Sequence, residues 1–185
     1  ALLGLGLQRG DKVAILAKNS AEWMLADVAI SMAGLVSVPI YPTAGVDTIS
    51  YVLGHSEASA VFIGKLDEPQ VAIDAVPRSI PSIAFPYPID GCQLEWQSLI
   101  DANEPLADLN DAQPDDVMTI LYTSGSTGKP KGVVITYGAY CYASRTAAQT
   151  IEVVSGDHLL SYLTLAHITE RPCTEGAEIL AGREW

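Results

Sequence analysis

Ten residues, TSGSTGKPKG from Thr123 to Gly132, have the types and spacing to hold phosphate. Gly125 and Gly128 permit backbone geometry and close ligand approach that a side chain would prevent. Thr123, Ser124, Ser126 and Thr127 add hydroxyls, and exposed N–H groups at a strand-to-loop junction can form a concave anion nest. Lys129 and Lys131 lower the electrostatic cost of gathering phosphate oxygens. The ordinary phosphate loop, G-x-x-x-x-G-K-[ST], is not met. Thr123 stands where its first glycine would be, and Pro130 stands where a hydroxyl would meet magnesium. Proline also disfavours a helix immediately after the loop, so strand, loop and helix N-terminus are not expected in succession. Two readings stay open at this point: a loop that grips polyphosphate, and a plain polar hairpin turn.

The surrounding composition favours an anion here and almost nowhere else. The 185 residues carry 22 acidic and 10 basic side chains, a formal charge of -12, which argues against a surface built to grip nucleic acid. Between Val117 and Ile151, however, Lys129, Lys131 and Arg145 are joined by no acidic residue. At 49% hydrophobic and 17% charged, the chain can bury a sizeable core as one domain or part of a larger one. Cys92, Cys141 and Cys173 form no paired framework and no zinc pattern, which points to a reducing, cytoplasmic setting without a protein-held metal. The longest apolar run, Trp23 to Ile40, is interrupted by Asp27, Gly34 and Pro39, and reads as a helix followed by a buried strand rather than a transmembrane span. No secretory leader opens the chain, and its first residue is alanine, so the natural N-terminus is expected upstream.

The elements that must position the loop follow from periodicity. Leu2 to Leu7 reads as the end of a helix, and KVAIL (12–16) as a strand. Ser20 is an N-cap for a helix over Ala21 to Gly34, VSVPIY (36–41) is a strand, Asp47 caps a short helix through Leu53, and EASAVFIG (57–64) is a strand. This alternation predicts an α/β fold with a mostly parallel sheet and crossover helices. Lys65 to Asp116 is less regular, with seven prolines, a possible strand at SIAFP and a helix near Glu95 to Ala102. Asp101 to Asp116 reads as an acidic surface excursion whose carboxylates are solvated. VMTILYTS and GVVIT then give strands on either side of the loop, Ala139 to Thr150 a helix, Gly156-Asp157 a turn, and HLLSYLTL a buried strand. Pro172 to Trp185 has no strong pattern, and Pro172 argues against a smooth helix through Glu170. His55 and His158 are read as structural or exposed, and Trp23, Trp96 and Trp185 as packing residues.

TSGSTGKPKG closely resembles the phosphate loop of the adenylate-forming, AMP-binding superfamily, which includes acyl-CoA synthetases, luciferases and peptide-synthetase adenylation domains. GDKVAILAKNSAEWMLADVAISMAG and VSVPIYPT resemble the early part of its large N-terminal domain. YLTLAHITER (162–171) is similar to the YLPLAHxxER segment of long-chain fatty acyl-CoA synthetases, with Thr164 in place of proline. The resemblance implies a partial N-terminal domain: residues 1–116 the early α/β part and surface excursion, 117–171 the phosphate-loop and acyl-gate region, and 172–185 an unassigned tail.

By that resemblance, Thr123, Ser124, Gly125, Ser126, Thr127, Gly128 and Lys131 would bind ATP, with Lys129 at a variable position. His167 would border the reaction centre, gating the acyl tunnel or positioning the carboxylate. Glu170 and Arg171 would orient that gate through a salt bridge or backbone hydrogen bonds, or form an ordinary structural pair. The implied reaction converts a medium- or long-chain fatty acid to an acyl-adenylate with release of pyrophosphate, then to acyl-CoA, using ATP, magnesium and coenzyme A. Alternatives are adenylation of an aromatic, amino or luciferin-like acid, and a non-catalytic nucleotide-binding module. The family's adenine-contacting, ribose-binding, hinge and lysine-bearing segments would lie beyond residue 185, so the chain alone is expected to be inactive. Peripheral membrane contact is conceivable, and the oligomeric state is open.

Overall fold

The computed structural model describes residues 1–124 and 128–182. Seven strands form one sheet in the order β5-β4-β3-β1-β2-β6-β7. They are β1 (Lys12–Leu16), β2 (Val36–Ile40), β3 (Ala58–Ile63), β4 (Ser82–Ala84), β5 (Leu94–Glu95), β6 (Val117–Thr123) and β7 (Lys131–Thr136). All neighbours are parallel except β6 and β7, which form an antiparallel hairpin. The expected parallel α/β fold is therefore present, and a strand paired with β6, not a helix, follows the loop, in keeping with Pro130.

The sheet divides the core into two apolar layers because successive strand residues point to opposite faces. On one face Val13, Ile15, Ala60 and Phe62 pack with Trp23, Ala26 and Ile30 of α1 (Ala21–Met32), and Trp96 of α4 (Trp96–Asp101) closes over Phe62 and Phe85. Aromatic pairs of this kind add roughly 0.5–1.5 kcal/mol each beyond burial. On the other face Ala14, Leu16, Val38 and Val61 pack under α2 (Val46–Ser56) and α3 (Pro69–Ala75). Trp23 and Trp96 thus fill packing sites, as expected, while Trp185 lies outside the described residues.

Local signals explain the ends of several elements. The Ser20 hydroxyl accepts the Trp23 amide at the start of α1, and Thr136 does the same for Ala139 at the start of α5 (Tyr137–Thr150). Asp47 does not cap α2: Gly45 is its N-cap, and Asp47 lies in the first turn, where its charge still complements the helix dipole.

Two expectations in the last third are corrected. HLLSYLTL is not a buried strand: it runs as irregular chain with Leu160 82% and Tyr162 77% exposed. Apolar alternation alone does not make a strand. β6 is already paired on both sides, with β2 and β7, and the segment lies instead beside Asn19. The chain from Glu170 is not disrupted by Pro172. It continues as a helical run with a π-type turn over Pro172–Gly176 and then α6 (Ala177–Ala181). Pro172 occupies the first turn, where its missing N–H has no intrahelical partner to lose. This run packs on α5 so closely that a Cβ at Gly176 would stand 2.1 Å from the Ser144 hydroxyl oxygen.

Candidate functional site

In a parallel sheet, ligands gather at the carboxyl ends of the strands, where loops diverge. A cleft of about 530 Å³ opens there between β2 and β6, within the usual size of ligand sites. Ile40 and Tyr41 form one lip, Tyr122, Thr123 and Ser124 the other, and Thr48 and Val52 reach it from α2. Gly128 and Pro130 line it from the far stem of the loop, and His167 enters from the chain after α5. Gly128 has φ of 88°, a left-handed conformation that strains any residue with a Cβ, and open space surrounds it. Another cleft, also about 530 Å³, lies between Leu2–Gly4, α1 and α4, but its lining is mainly apolar and carries no convergent set of phosphate-binding groups.

The structure thus brings together Thr123, Ser124, Gly128 and His167. Gly125, Ser126 and Thr127 lie outside the described residues. Lys131 opens β7, exposed and opposite Thr123 in the hairpin register, so it stands beside the cleft without lining it. Lys129 lies 5.6 Å from the centre of the Tyr51 ring, a cation–π contact worth roughly 0.5–1 kcal/mol at an exposed site. Tyr51 stacks on His55 at 5.2 Å, and His55 Nδ1 is 2.8 Å from the Tyr122 hydroxyl. His55, read from sequence as structural or exposed, therefore braces a residue of the cleft wall. Burial raises the Tyr122 pKa above its ordinary value, so this hydroxyl stays protonated.

His167 is held by its own turn. Its Nδ1 accepts the Thr169 amide at 3.1 Å, and its carbonyl accepts the Glu170 amide at 3.1 Å. A neutral ring with Nδ1 accepting carries its proton on Nε2, which leaves that nitrogen as a donor. The preceding residues are pinned by a side chain the sequence reading did not single out. Asn19 accepts the Leu165 amide at 2.8 Å through Oδ1 and donates through Nδ2 to the Leu163 carbonyl at 2.5 Å and the Ser161 hydroxyl at 2.8 Å. One amide side chain thus takes the place of a strand neighbour.

Glu170 and Arg171 do not form a salt bridge with each other. Glu170 is buried and accepts the Thr174 hydroxyl at 3.0 Å, away from the cleft lining. Arg171 is fully buried and pairs with Asp27 of α1 at 2.5 Å and with Glu175 at 3.6 Å. Sequence signals for this network were weak because Asp27 and Arg171 are 144 positions apart. An acidic residue in the apolar run of α1 was the one visible hint. Burial, followed by the charge of Asp27, pushes Glu175 up to about 8, so one guanidinium serves one carboxylate and a second carboxyl that keeps its proton.

The cleft lining contains no carboxylate, and among the described residues no group of three His, Cys, Asp or Glu side chains could hold a metal ion. Hydroxyls, a positive-φ glycine and nearby lysines suit an anion, not a protein-held cation. No helix among the described residues is long and apolar enough to cross a membrane.

Comparison with known proteins bears on the fold and the family. The chain is 36% identical over 188 residues to fatty acyl-CoA synthetase A of Dictyostelium discoideum, covering 92% of this chain and 28% of that protein. It is 32% identical to the peroxisomal long chain acyl-CoA synthetase 7 of Arabidopsis thaliana, covering 92% of this chain and 26% of the relative. The chain therefore spans less than a third of the length of these relatives. A solved structure described as a long-chain-fatty-acid CoA ligase of Rhodopseudomonas palustris superposes with a TM-score of 0.81 at 23% identity, over 98% of this chain and 45% of that one. Acetoacetyl-CoA synthetase from Streptomyces lividans superposes with a TM-score of 0.80 at 22% identity, over 98% and 30% respectively, and both likenesses concern the fold. The family model for AMP-binding enzymes matches residues 1–183, and the chain belongs to that family.

Proposed function

We propose that the protein containing this chain activates a medium- or long-chain fatty acid with ATP, giving an acyl-adenylate and pyrophosphate, and then transfers the acyl group to coenzyme A. On this reading, residues 1–185 are the early part of the large N-terminal domain. The observation that carries the proposal is the meeting of Thr123, Ser124 and Gly128 with His167 around one carboxylate-free cleft at the ends of parallel strands. Relatives named as a fatty acyl-CoA synthetase and a long chain acyl-CoA synthetase support the choice of acid.

A carboxylate is a poor acyl donor because its leaving group would be oxide. Attack of the carboxylate oxygen on the α-phosphorus of ATP forms a new P–O bond and expels pyrophosphate, and a thiolate can then displace AMP from the mixed anhydride. This chain's residues hold and orient the phosphate chain for the first step. The Thr123 and Ser124 hydroxyls and the loop amides serve as donors to the outer phosphate oxygens, and Lys131 supplies positive charge beside them. His167 lines the cleft, and its role on this reading is to meet the substrate carboxylate or the α-phosphate. No side-chain nucleophile is needed, because the acid itself attacks. Magnesium, carried on the phosphates, would neutralise charge during the displacement.

Three cysteines without a disulfide suit a reducing compartment, and we assign the protein to the cytoplasm on that ground; two relatives are named as peroxisomal. The experiment is pyrophosphate release by the full-length protein with ATP and magnesium across a series of carboxylic acids. Turnover with medium- and long-chain fatty acids supports the reading. Turnover restricted to aromatic or amino acids overturns the substrate assignment, and no turnover with any acid overturns the reaction.

A further inference from the structure

Ser37 of β2 and Thr119 of β6 are register partners, and at their carboxyl ends the two strands supply the two lips of the cleft. Arg171 lies at that pair. Its guanidinium donates to the Thr119 hydroxyl at 2.9 Å and reaches the Ser37 hydroxyl at 3.4 Å, while the Thr119 hydroxyl donates to the Ser37 carbonyl at 2.8 Å. The same group binds Asp27 of α1 at 2.5 Å and lies between the rings of Trp23 and Tyr140, at 5.5 and 5.4 Å.

Distances along the chain make this placement consequential. Thr119 precedes Thr123 by four residues of continuous strand, Ser37 precedes Tyr41 by four, and Arg171 follows His167 by four. Each tie therefore leads directly to one wall of the cleft. Arginine is suited to the task because its planar fork serves three partners at fixed angles, which the single ammonium of lysine cannot do.

We propose that Arg171 is a positioning residue that sets the separation of the two lips of the cleft and aligns the His167 turn with them. The proposal rests on the reading that this cleft receives the phosphates of ATP and the substrate acid. Arg171 touches neither; it acts through β2, β6 and its own turn. Small errors of alignment between an attacking group and its target cost rate more than binding, on the order of a hundredfold for 1 Å.

The test uses the full-length protein and compares Thr119→Val with Thr119→Ser. Valine matches the shape of threonine but lacks the hydroxyl that Arg171 grips; serine keeps the hydroxyl and loses a methyl group. Steady-state pyrophosphate release is measured with folded fraction checked by melting, and hydrogen exchange is followed over 119–123 and 164–169. Positioning predicts that Thr119→Ser keeps kcat within about twofold, whereas Thr119→Val and Arg171→Lys lose on the order of tenfold or more while KM for ATP moves less than kcat. Both defective variants also exchange faster at 164–169. An active wild type in which valine equals or exceeds serine means that Thr119 matters only as packing, and the clamp is overturned alone. A wild type that releases no pyrophosphate overturns the ATP reading and the positioning role together.

Discussion

Glu175 makes the buried network sensitive to pH in a direction that can be worked out. It faces Asp27 from α1, Tyr140 from α5 and Arg171 on its own helical run. Asp27 has the closer hold on the guanidinium, 2.5 Å against 3.6 Å. Burial and the Asp27 charge raise Glu175 from 4.5 to about 8, Arg171 stays charged, and burial raises Tyr140 so that it stays neutral. The folded protein thus retains a proton that the unfolded chain releases near 4.5. Between that value and about 8 the folded state binds more protons, so stability falls as pH rises through this window and levels off above it. A gap of that size, at about 1.4 kcal/mol per pKa unit, corresponds to a loss of up to about 5 kcal/mol, comparable with the whole stability of many domains. Gln is a near-isostere of the protonated carboxyl and cannot ionise. In urea titrations followed by the fluorescence of the buried Trp23, Glu175→Gln should match wild type within about 1 kcal/mol at pH 5, exceed it increasingly as pH rises to about 8, and level off beyond that. Taking the difference between the two proteins removes the other titrating groups. Parallel curves, or a Gln variant that loses ground as pH rises, would refute the assignment of the proton to Glu175.

Further outcomes follow from other contacts. Lys131→Ala should raise KM for ATP on the order of tenfold in a folded protein, whereas Lys129→Ala, which forfeits the Tyr51 contact, should change it about threefold; initial rates at varied ATP decide both. Asn19→Asp keeps the acceptor for the Leu165 amide but loses the donor to the Leu163 carbonyl, and should speed hydrogen exchange at 161–167 and lower kcat, while unchanged exchange would contradict the pin. Gly176→Ala places a methyl group against the Ser144 oxygen and should cost about 1–3 kcal/mol by denaturant titration, with partial recovery in Gly176→Ala/Ser144→Gly.

The early alternation was legible because each element there carries its own signal. KVAIL is bounded by a turn, Ser20 offers its hydroxyl at the correct position, and the strand VSVPI is buried along its whole length. That no helix follows the loop directly was readable from Pro130, while the placing of Thr123, Ser124, Gly128 and His167 near one site was implied only by the family resemblance of two quoted motifs. What escaped were arrangements made by distant partners. HLLSYLTL has the composition of a strand but no free strand edge beside it, and the tail after Arg171 becomes helical because α5 offers it a surface, not because its own periodicity is strong. Asn19 and Asp27 were invisible as site-supporting residues for the same reason: their partners lie about 144 residues later, at a separation local patterns do not reach.

On the function proposed above, the hairpin between β6 and β7 holds the outer phosphates of ATP over a cleft that His167 also lines. A crystal structure of the full-length protein with magnesium and a non-hydrolysable ATP analogue tests it most directly. The β- and γ-phosphates are expected within hydrogen-bond reach of Thr123, Ser124 and the loop amides, with Lys131 beside them. Phosphates bound at another strand end, with this hairpin turned away from them, would contradict it.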